Sequence, residues 1–432
     1  MNRRRLSLLL GALLAVLVLA GALVLEHDTT ADRQATAIQQ PVAELDRVPW
    51  EGGPAYYEGF PAAAAAGWTD PGFFPIGVWF EAVTSQQDVD LDKAAGLNTY
   101  FELTASSDPA LIRENGMFAL PSAQLPGYGE ETVGWTLTDE VDLWAHEGDA
   151  PWTGNSPGQG QICIPESALC GYTVLDTLRK RFPPDDGRLR YANFGFGMSF
   201  FIKDHLAARF LDYTDASSLD VYWYTDEGMC ELSSTPEDIC RFAASYGATV
   251  DRIRHLDGMD GRRQPVYAFV EVGLPFEKFD THIQPAELAG AVMNSLIHEA
   301  RGVIYFNHNF GGDCISQHVL RDPCGARIRP AVTEVNRRIT ELAPVLNTQS
   351  FRHEFAPGMD TMLKRHAGAY YVFAMVGRGT SAGTHTLRLP AGLDAGKAEV
   401  LFENRTVDIV DGTLTDGFDA EHTYHIYRIT RA

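Results

Sequence analysis

Between residues 72 and 347, short apolar runs alternate with stretches whose apolar positions recur every three or four residues. The runs are Phe74–Phe80, Thr99–Leu103, Met117–Leu120, Gly134–Leu137, Arg190–Phe194, Leu219–Tyr224, Val266–Val270 and Val303–Phe306. They are rich in branched and aromatic residues, which suit a buried pleated backbone. Helical patterns lie between them, at 85–98 (ending in a Gly stop), 173–182 and 286–302; a fourth, 331–346, follows the last run. Strands separated by helices pair in parallel through right-handed crossovers. Eight such units over about 270 residues predict an α/β fold, a (β/α)8 TIM barrel with insertions. A doubly wound open sheet is the alternative, but no G-x-G-x-x-G follows the first run.

After residue 348 the period changes. "AYYVFAMV", "THTLRLP", "KAEVLFE", "RTVDIV" and "TYHIYRIT" read as strands joined by turns, without helical spacing. They predict a small antiparallel β-sandwich. The organisation expected is therefore an N-terminal segment over 1–25, a polar linker over 26–50, the barrel over 51–347 and the sandwich over 348–432. The stretch 49–68, "PWEGGPAYYEGFPAAAAAGW", has the composition of a loop packing over the barrel entrance.

The first 25 residues carry an address. Arg3–Arg5 precede 20 residues without a charge, Leu6–Leu25. That length spans a bilayer as a helix, with the arginines kept on the cytoplasmic side. The same segment reads as a signal peptide cleaved at Ala20-Gly21-Ala22. The anchor is favoured because the apolar run continues past that site. In both cases the rest of the chain is extracytoplasmic, tethered or secreted, and the membrane is a partner through the N-terminal helix. The six cysteines agree with an oxidising compartment, falling as close pairs Cys163/Cys170, Cys230/Cys240 and Cys314/Cys324 that local disulfides would join. No spacing suggests a metal site, and no cofactor is expected. With 35 basic against 57 acidic residues, the net charge of −22 argues against nucleic acid and suits neutral or cationic ligands.

A barrel places its chemistry at the C-terminal ends of its strands. There the chain presents Trp79 and Glu81 (strand one), Glu102 (two), Asp139 and Glu140 (four) and Asn193 (five). Strand six brings Tyr222, Trp223, Tyr224, Asp226 and Glu227, strand seven Glu271, and strand eight Asn307 and His308. Glu140 and Glu271 carry the most weight: strands four and seven lie on opposite sides of an eight-stranded ring. Glycosidic cleavage needs one carboxylic acid to protonate the leaving oxygen and a second carboxylate to attack carbon or activate water. Trp79, Trp135, Trp144, Trp152, Tyr222 and Trp223 are candidate stacking surfaces. Glu81, Glu102, Asp139, Asn193, Asp226, Asn307 and His308 are candidate contacts to sugar hydroxyls.

The segments "FFPIGVWFE", "AAGLNTYFELT", "GWTLTDEVD" and "VYAFVEVG" resemble the clan A glycoside hydrolases, retaining TIM-barrel enzymes. The terminal segment 398–429 resembles the β-domain appended to many of them. The resemblance implies Glu140 as acid/base, Glu271 as nucleophile, and Tyr222 or Tyr224 as the tyrosine that hydrogen-bonds the nucleophile. Two departures mark an outlying family: Asp139 stands where the clan has Asn, and "TYFELT" lacks the clan's strand-two Arg. The function expected is an exported glycosidase acting on an extracellular or envelope polysaccharide. A carbohydrate-binding scaffold without catalysis is the alternative, and a metal-assisted hydrolase using Glu102, Asp226 and His308 is a more distant one.

Overall fold

In a computed structural model, residues 41–155, 160–393 and 395–430 are described. The apolar run Leu6–Leu25 lies outside them, and no helix among the described residues is long and apolar enough to cross a membrane. Residues 41–45 and 390–392 form a small unit of their own, in which Pro41 bridges Ala391.

The larger unit holds a parallel barrel and an antiparallel sheet. The barrel strands are β1 (Ile76–Glu81), β2 (Thr99–Leu103), β3 (Phe118–Leu120), β4 (Gly134–Asp139), β5 (Leu189–Phe194), β6 (Ala216–Leu219), β7 (Val266–Glu271) and β8 (Val303–Phe306). Their hydrogen-bonded order is β3-β2-β1-β8-β7-β6-β5-β4. The ring nearly closes between β3 and β4, where Ala119 bridges Thr132 and the Val133 N–H donates to the Ala119 carbonyl (3.1 Å). That junction is the one crossover without a helix. The others carry α1 (Gln86–Ala94), α2 (Pro109–Glu114), α3 (Gly171–Arg179), α4 (Asp204–Phe210), α5 (Ala243–Asp257) and α6 (Pro285–Ile297), and α7 (Arg329–Leu346) follows β8. Ser85 starts α1 with a reciprocal capping box to Asp88.

Alternation sorts the strand side chains into two layers. Ile76, Val78, Ala268, Val270, Val303 and Tyr305 meet the helices. Trp79, Phe101, Tyr191, Tyr267, Phe269, Ile304 and Phe306 fill the interior. Aromatic rings take up most of that space, with Phe101 5.1 Å from Tyr191 and 5.3 Å from Tyr267. Gly77 is required beside them, since a Cβ there would stand 2.5 Å from the Phe101 ring.

Two expectations are corrected. The stretch 49–68 does not cover the entrance. It folds into a 3-10 helix (Gly53–Gly59) and a short helix (Pro61–Ala65) that plug the opposite, N-terminal end. There the Tyr57 hydroxyl meets that of Tyr267 (3.0 Å), the Tyr56 hydroxyl donates to the Asp215 carbonyl (2.7 Å), and Trp68 packs on Phe118. Strand six is also displaced: β6 is Ala216–Leu219, not Leu219–Tyr224, and the aromatic run "VYWY" is loop.

The C-terminal strands β9 (Ser350–Phe351), β10 (Met359–His366), β11 (Ala369–Val376), β12 (Gly383–Arg388), β13 (Lys397–Val400), β14 (Arg405–Val410), β15 (Thr413–Phe418) and β16 (Tyr424–Thr430) make one antiparallel ladder, β12-β15-β14-β13-β16-β11-β10-β9. β14 pairs with β13 along its first half and with β15 at its end. The sheet rests on α6 and α7. At Gly290 of α6 a Cβ would stand 2.8 Å from the His422 carbonyl, so the glycine sets the approach. Lys364 of β10 is fully buried, donates to the Thr348 carbonyl (2.7 Å) and lies 3.7 Å from Glu299.

The six cysteines form three disulfides, Cys163–Cys170, Cys230–Cys240 and Cys314–Cys324, as the spacing predicts. They staple the loops after β4, β6 and β8, all on the C-terminal face.

Candidate active site at the barrel mouth

Three barrel strands carry, one residue from their C-terminal end, a left-handed residue that is not glycine: Phe80 (φ 53°) and Glu102 (φ 68°) just before it and Glu140 (φ 49°) just after it. Each costs on the order of 1–3 kcal/mol and persists only where the surroundings enforce it. Each also breaks the strand's alternation and re-aims a side chain. On β1 the interior position of Trp79 would put Glu81 inside. Instead Phe80 packs with the interior aromatics and Glu81 turns to the β8–α7 loop. There Glu81 accepts from Asn307 and approaches His318 Nδ1 (2.5 Å) and Arg321 (3.1 Å); Arg321 in turn grips Asp92 of α1 (2.6 Å).

Glu102 accepts from the N–H groups of Leu103 (2.9 Å) and Ser122 (3.1 Å). Burial first, and then the charge of Asp139, push its carboxyl up, to about 7. Asp139 closes β4 and is held by Asn193 Nδ2 (2.9 Å), whose own oxygen accepts from Ser218 (2.6 Å). Solvent reaches Asp139 from the mouth, yet the protein around it is dense enough to raise its carboxyl to about 6.

Glu140 anchors its N–H on the Asn193 carbonyl (3.0 Å) and opens the helical turn Val141–Trp144. Its Oε1 lies over Gly195, where a Cβ would come within 2.9 Å. Asp142, fully enclosed, accepts from the Gly195 and Met198 N–H groups (2.9 and 2.7 Å) and so fixes the facing loop. The Glu140 carboxyl hydrogen-bonds that of Asp220, the first residue beyond β6. Burial, then Asp139 and Asp142, raise Glu140 to about 8. Asp220 is raised well above the usual carboxylate range by burial and by Glu140 and Asp139. Two carboxyls in contact inside a wall of protein cannot both ionise, so the pair retains a proton near neutrality. Asp220 Oδ2 accepts from Tyr222 (2.9 Å), and Oδ1 has no N–H or hydroxyl donor.

Glu271, at the end of β7, is wholly enclosed. Its Oε1 accepts from Tyr246 (2.7 Å) and Thr225 (3.1 Å), its Oε2 has no partner, and burial raises it to about 7. The groups that act on Glu140 are Asp139, Asp142 and Asp220; those that act on Glu271 come from α5 and the loop after β6.

The tyrosine on Glu271 is Tyr246 of α5, which corrects the expectation of Tyr222 or Tyr224. Tyr222 serves Asp220, and Tyr224 donates to Glu421 of the C-terminal sheet region (2.7 Å). His308 (to the Phe80 carbonyl, 3.2 Å) belongs to an aromatic cluster, with ring centroids 5.0 Å from Phe306 and 5.5 Å from Phe310. Tyr222 joins that cluster, 5.1 Å from Phe306 and 6.1 Å from Phe276. Trp79 is interior packing, and Trp223 is buried with its N–H on Thr249 of α5 (2.9 Å). Asp226 caps its own turn at Gly228 (2.8 Å), and Glu227 holds Thr281 (2.8 Å). Trp144 donates to the Asp139 carbonyl (2.8 Å), Trp135 stacks on Phe182 (4.7 Å), and Trp152 lies under Arg181 (5.1 Å). Among the described residues no three His, Cys, Asp or Glu side chains are grouped as metal ligands.

Sequence reading missed Asp220 and Tyr246. The signal for Asp220 was "ASSLD", a short strand of small residues ending in an acid, masked by the more β-prone aromatics that follow.

No known protein-family profile matches the chain, and no curated protein matches it. Solved structures similar to it include an Anoxybacillus alpha-amylase (12% identity, TM-score 0.45, covering 84% of this chain and 99% of that one). A Thermotoga neapolitana maltogenic alpha-amylase gives 10% identity and TM-score 0.49, covering 82% and 99%. A Clostridium papyrosolvens GH30 endoxylanase gives 10% and 0.43, covering 83% and 97%. At such identities these are likenesses of fold alone.

Proposed function

We propose that this chain is a glycoside hydrolase working from the C-terminal mouth of its barrel, with Glu140 as proton donor. The observation that supports this most directly is the contact between Glu140 and Asp220, beside an Asp139 that loses its proton at lower pH. Glycosidic cleavage asks for two carboxyl groups in opposite protonation states. Near neutrality Glu140 keeps its proton and Asp139 is ionised. As the C1–O bond breaks, the Glu140 proton passes to the leaving oxygen. The second carboxylate then either attacks C1, giving retention, or takes a proton from the water that does so, giving inversion.

Two assignments of that second carboxylate follow. The sequence resemblance supports Glu271 as nucleophile of a retaining double displacement, with Glu140 returning as base in the second step; the partnerless Oε2 is the atom that would attack. The openness of Asp139 to solvent, against the enclosure of Glu271, favours Asp139 in that role. The test is product analysis on a panel of envelope glycans, with NMR reading the anomer first formed. Glu140→Gln should abolish cleavage, and whichever of Glu271→Gln and Asp139→Asn does the same names the second group. A binding scaffold would instead show no turnover in the native chain and unchanged affinity in all three variants. Unimpaired turnover by Glu140→Gln would overturn the proposal.

The setting proposed is extracytoplasmic: three disulfides on mouth loops and the Arg3–Arg5 plus apolar leader both support export, with the leader as tether.

A further inference from the structure

We infer that the turn between β15 and β16 completes the active site: Glu421 is a positioning residue that, through Tyr224 and the start of α5, aims the Tyr246 hydroxyl at Glu271. This deepens the glycoside-hydrolase reading above and rests on Glu271 as its second carboxylate. The aim is set at Tyr246. Its oxygen accepts the Tyr224 N–H (3.1 Å), which leaves its one proton for Glu271 Oε1 (2.7 Å). Two pieces of chain therefore decide where that proton lies: the backbone at Tyr224, and the first turn of α5, which carries Tyr246.

Glu421 holds both. Its Oε1 accepts from the Tyr224 hydroxyl (2.7 Å) and its Oε2 from the N–H of Ala243, where α5 begins (2.7 Å). Phe242, the residue before the helix, has no side-chain acceptor, so the carboxylate that satisfies this N–H and meets the positive end of α5 comes from the C-terminal sheet region. The Tyr224 and Tyr246 rings stack at 5.5 Å, which couples the two halves of the clamp. The turn bearing Glu421 is itself fixed. Ala420 and Thr423 exchange two hydrogen bonds (3.0 Å each), the His422 backbone seats on Gly290 of α6, and His422 Nδ1 lies 3.2 Å from Glu421 Oε1. An acid on a turn is ordinarily solvated. This one has a side chain 19% exposed and spends both oxygens on barrel groups, 197 and 178 residues away in the chain.

The experiment titrates the Glu271 carboxyl by carbon-13 NMR in the glutamate-labelled full chain, with Glu271→Gln identifying the resonance. It also measures kcat and KM on the first envelope glycan that the native protein cleaves. Glu421→Ala should raise the Glu271 titration by at least about half a unit, a fraction of the roughly one to two units that one hydrogen bond to a charged group gives. Because Glu421 acts through the tyrosines, kcat should fall at least about fivefold with KM within about twofold. With Tyr246→Phe already present, Glu421→Ala should move the titration by less than about 0.2 unit. A merely structural contact would lower stability in both backgrounds and leave the titration in place. Should Glu421→Ala fail to fold, Tyr224→Phe removes one hydroxyl, keeps the bond to Ala243, and should shift Glu271 in the same direction. An unshifted Glu271, or an equal shift with and without the Tyr246 hydroxyl, overturns the inference. If Asp139→Asn rather than Glu271→Gln abolishes cleavage, or if no glycan is cleaved, the reading of Glu271 fails instead, and the titration decides the positioning alone by the same two outcomes.

Discussion

Replacing Asp139 by Asn removes the first of the two carboxylate charges that raise the Glu140 carboxyl. It keeps the side chain's size and leaves an oxygen to accept from Asn193. Like charges about 4 Å apart repel by roughly 4 kcal/mol at the effective dielectric of a protein site, or about three pKa units. Solvent entering at Asp139 screens part of this, so a fall of about one to two units is expected for Glu140. Its carboxyl, raised to about 8 in the native protein, should then titrate between about 6 and 7. The assay is carbon-13 NMR titration of protein labelled at the glutamate carboxyls, with Glu140→Gln identifying the resonance. A Glu140 resonance that stays in place, or moves up, would refute the claim that the charge of Asp139 helps hold its proton.

Further outcomes follow from the same geometry. With Asp139 near 6 as base and Glu140 near 8 as acid, kcat/KM should be bell-shaped with its maximum near pH 7; a single-limbed profile would contradict the pairing. Because the folded chain holds the Glu140 proton to about pH 8 while the unfolded chain releases it near 4.5, stability should fall as pH rises through that window. Glu140→Gln should therefore melt higher than the native protein at pH 8.5, by about 1–2 kcal/mol after solvent screening, and nearly level with it at pH 5, as calorimetry would read. Replacing Cys230 and Cys240 together by Ser opens a loop with a sequence separation of 10 and should cost about 3 kcal/mol in denaturant unfolding. Tyr246→Phe removes the hydroxyl that lowers Glu271 most, so its carboxyl should titrate above its native value of about 7; no change would show that the hydroxyl does not hold it.

The barrel was legible in the chain because each strand is a buried apolar run between helical patterns, and β2 and β8 fall on the expected residues. Strand ends were less so. Alternation carries no mark of a left-handed Phe80, Glu102 or Glu140, since those conformations are imposed by packing around the mouth. This is why Glu81, counted inward by period, belongs to the Arg321 ion network, and why the acid that meets Glu140 is Asp220. The stretch 49–68 was recognised as a covering segment, but composition does not say which end of a barrel a plug will close. Tyr246 stood hidden because a helix brings it to Glu271, and spacing along a strand does not reveal such a neighbour.

Proton donation by Glu140 is tested most directly by comparing leaving groups. A glycan leaves poorly and needs an acid; a dinitrophenyl glycoside of the same sugar leaves without one. Glu140→Gln should lose on the order of 10²–10⁴-fold on the glycan and at most about tenfold on the dinitrophenyl glycoside. Equal losses on both substrates, or none on either, would contradict it.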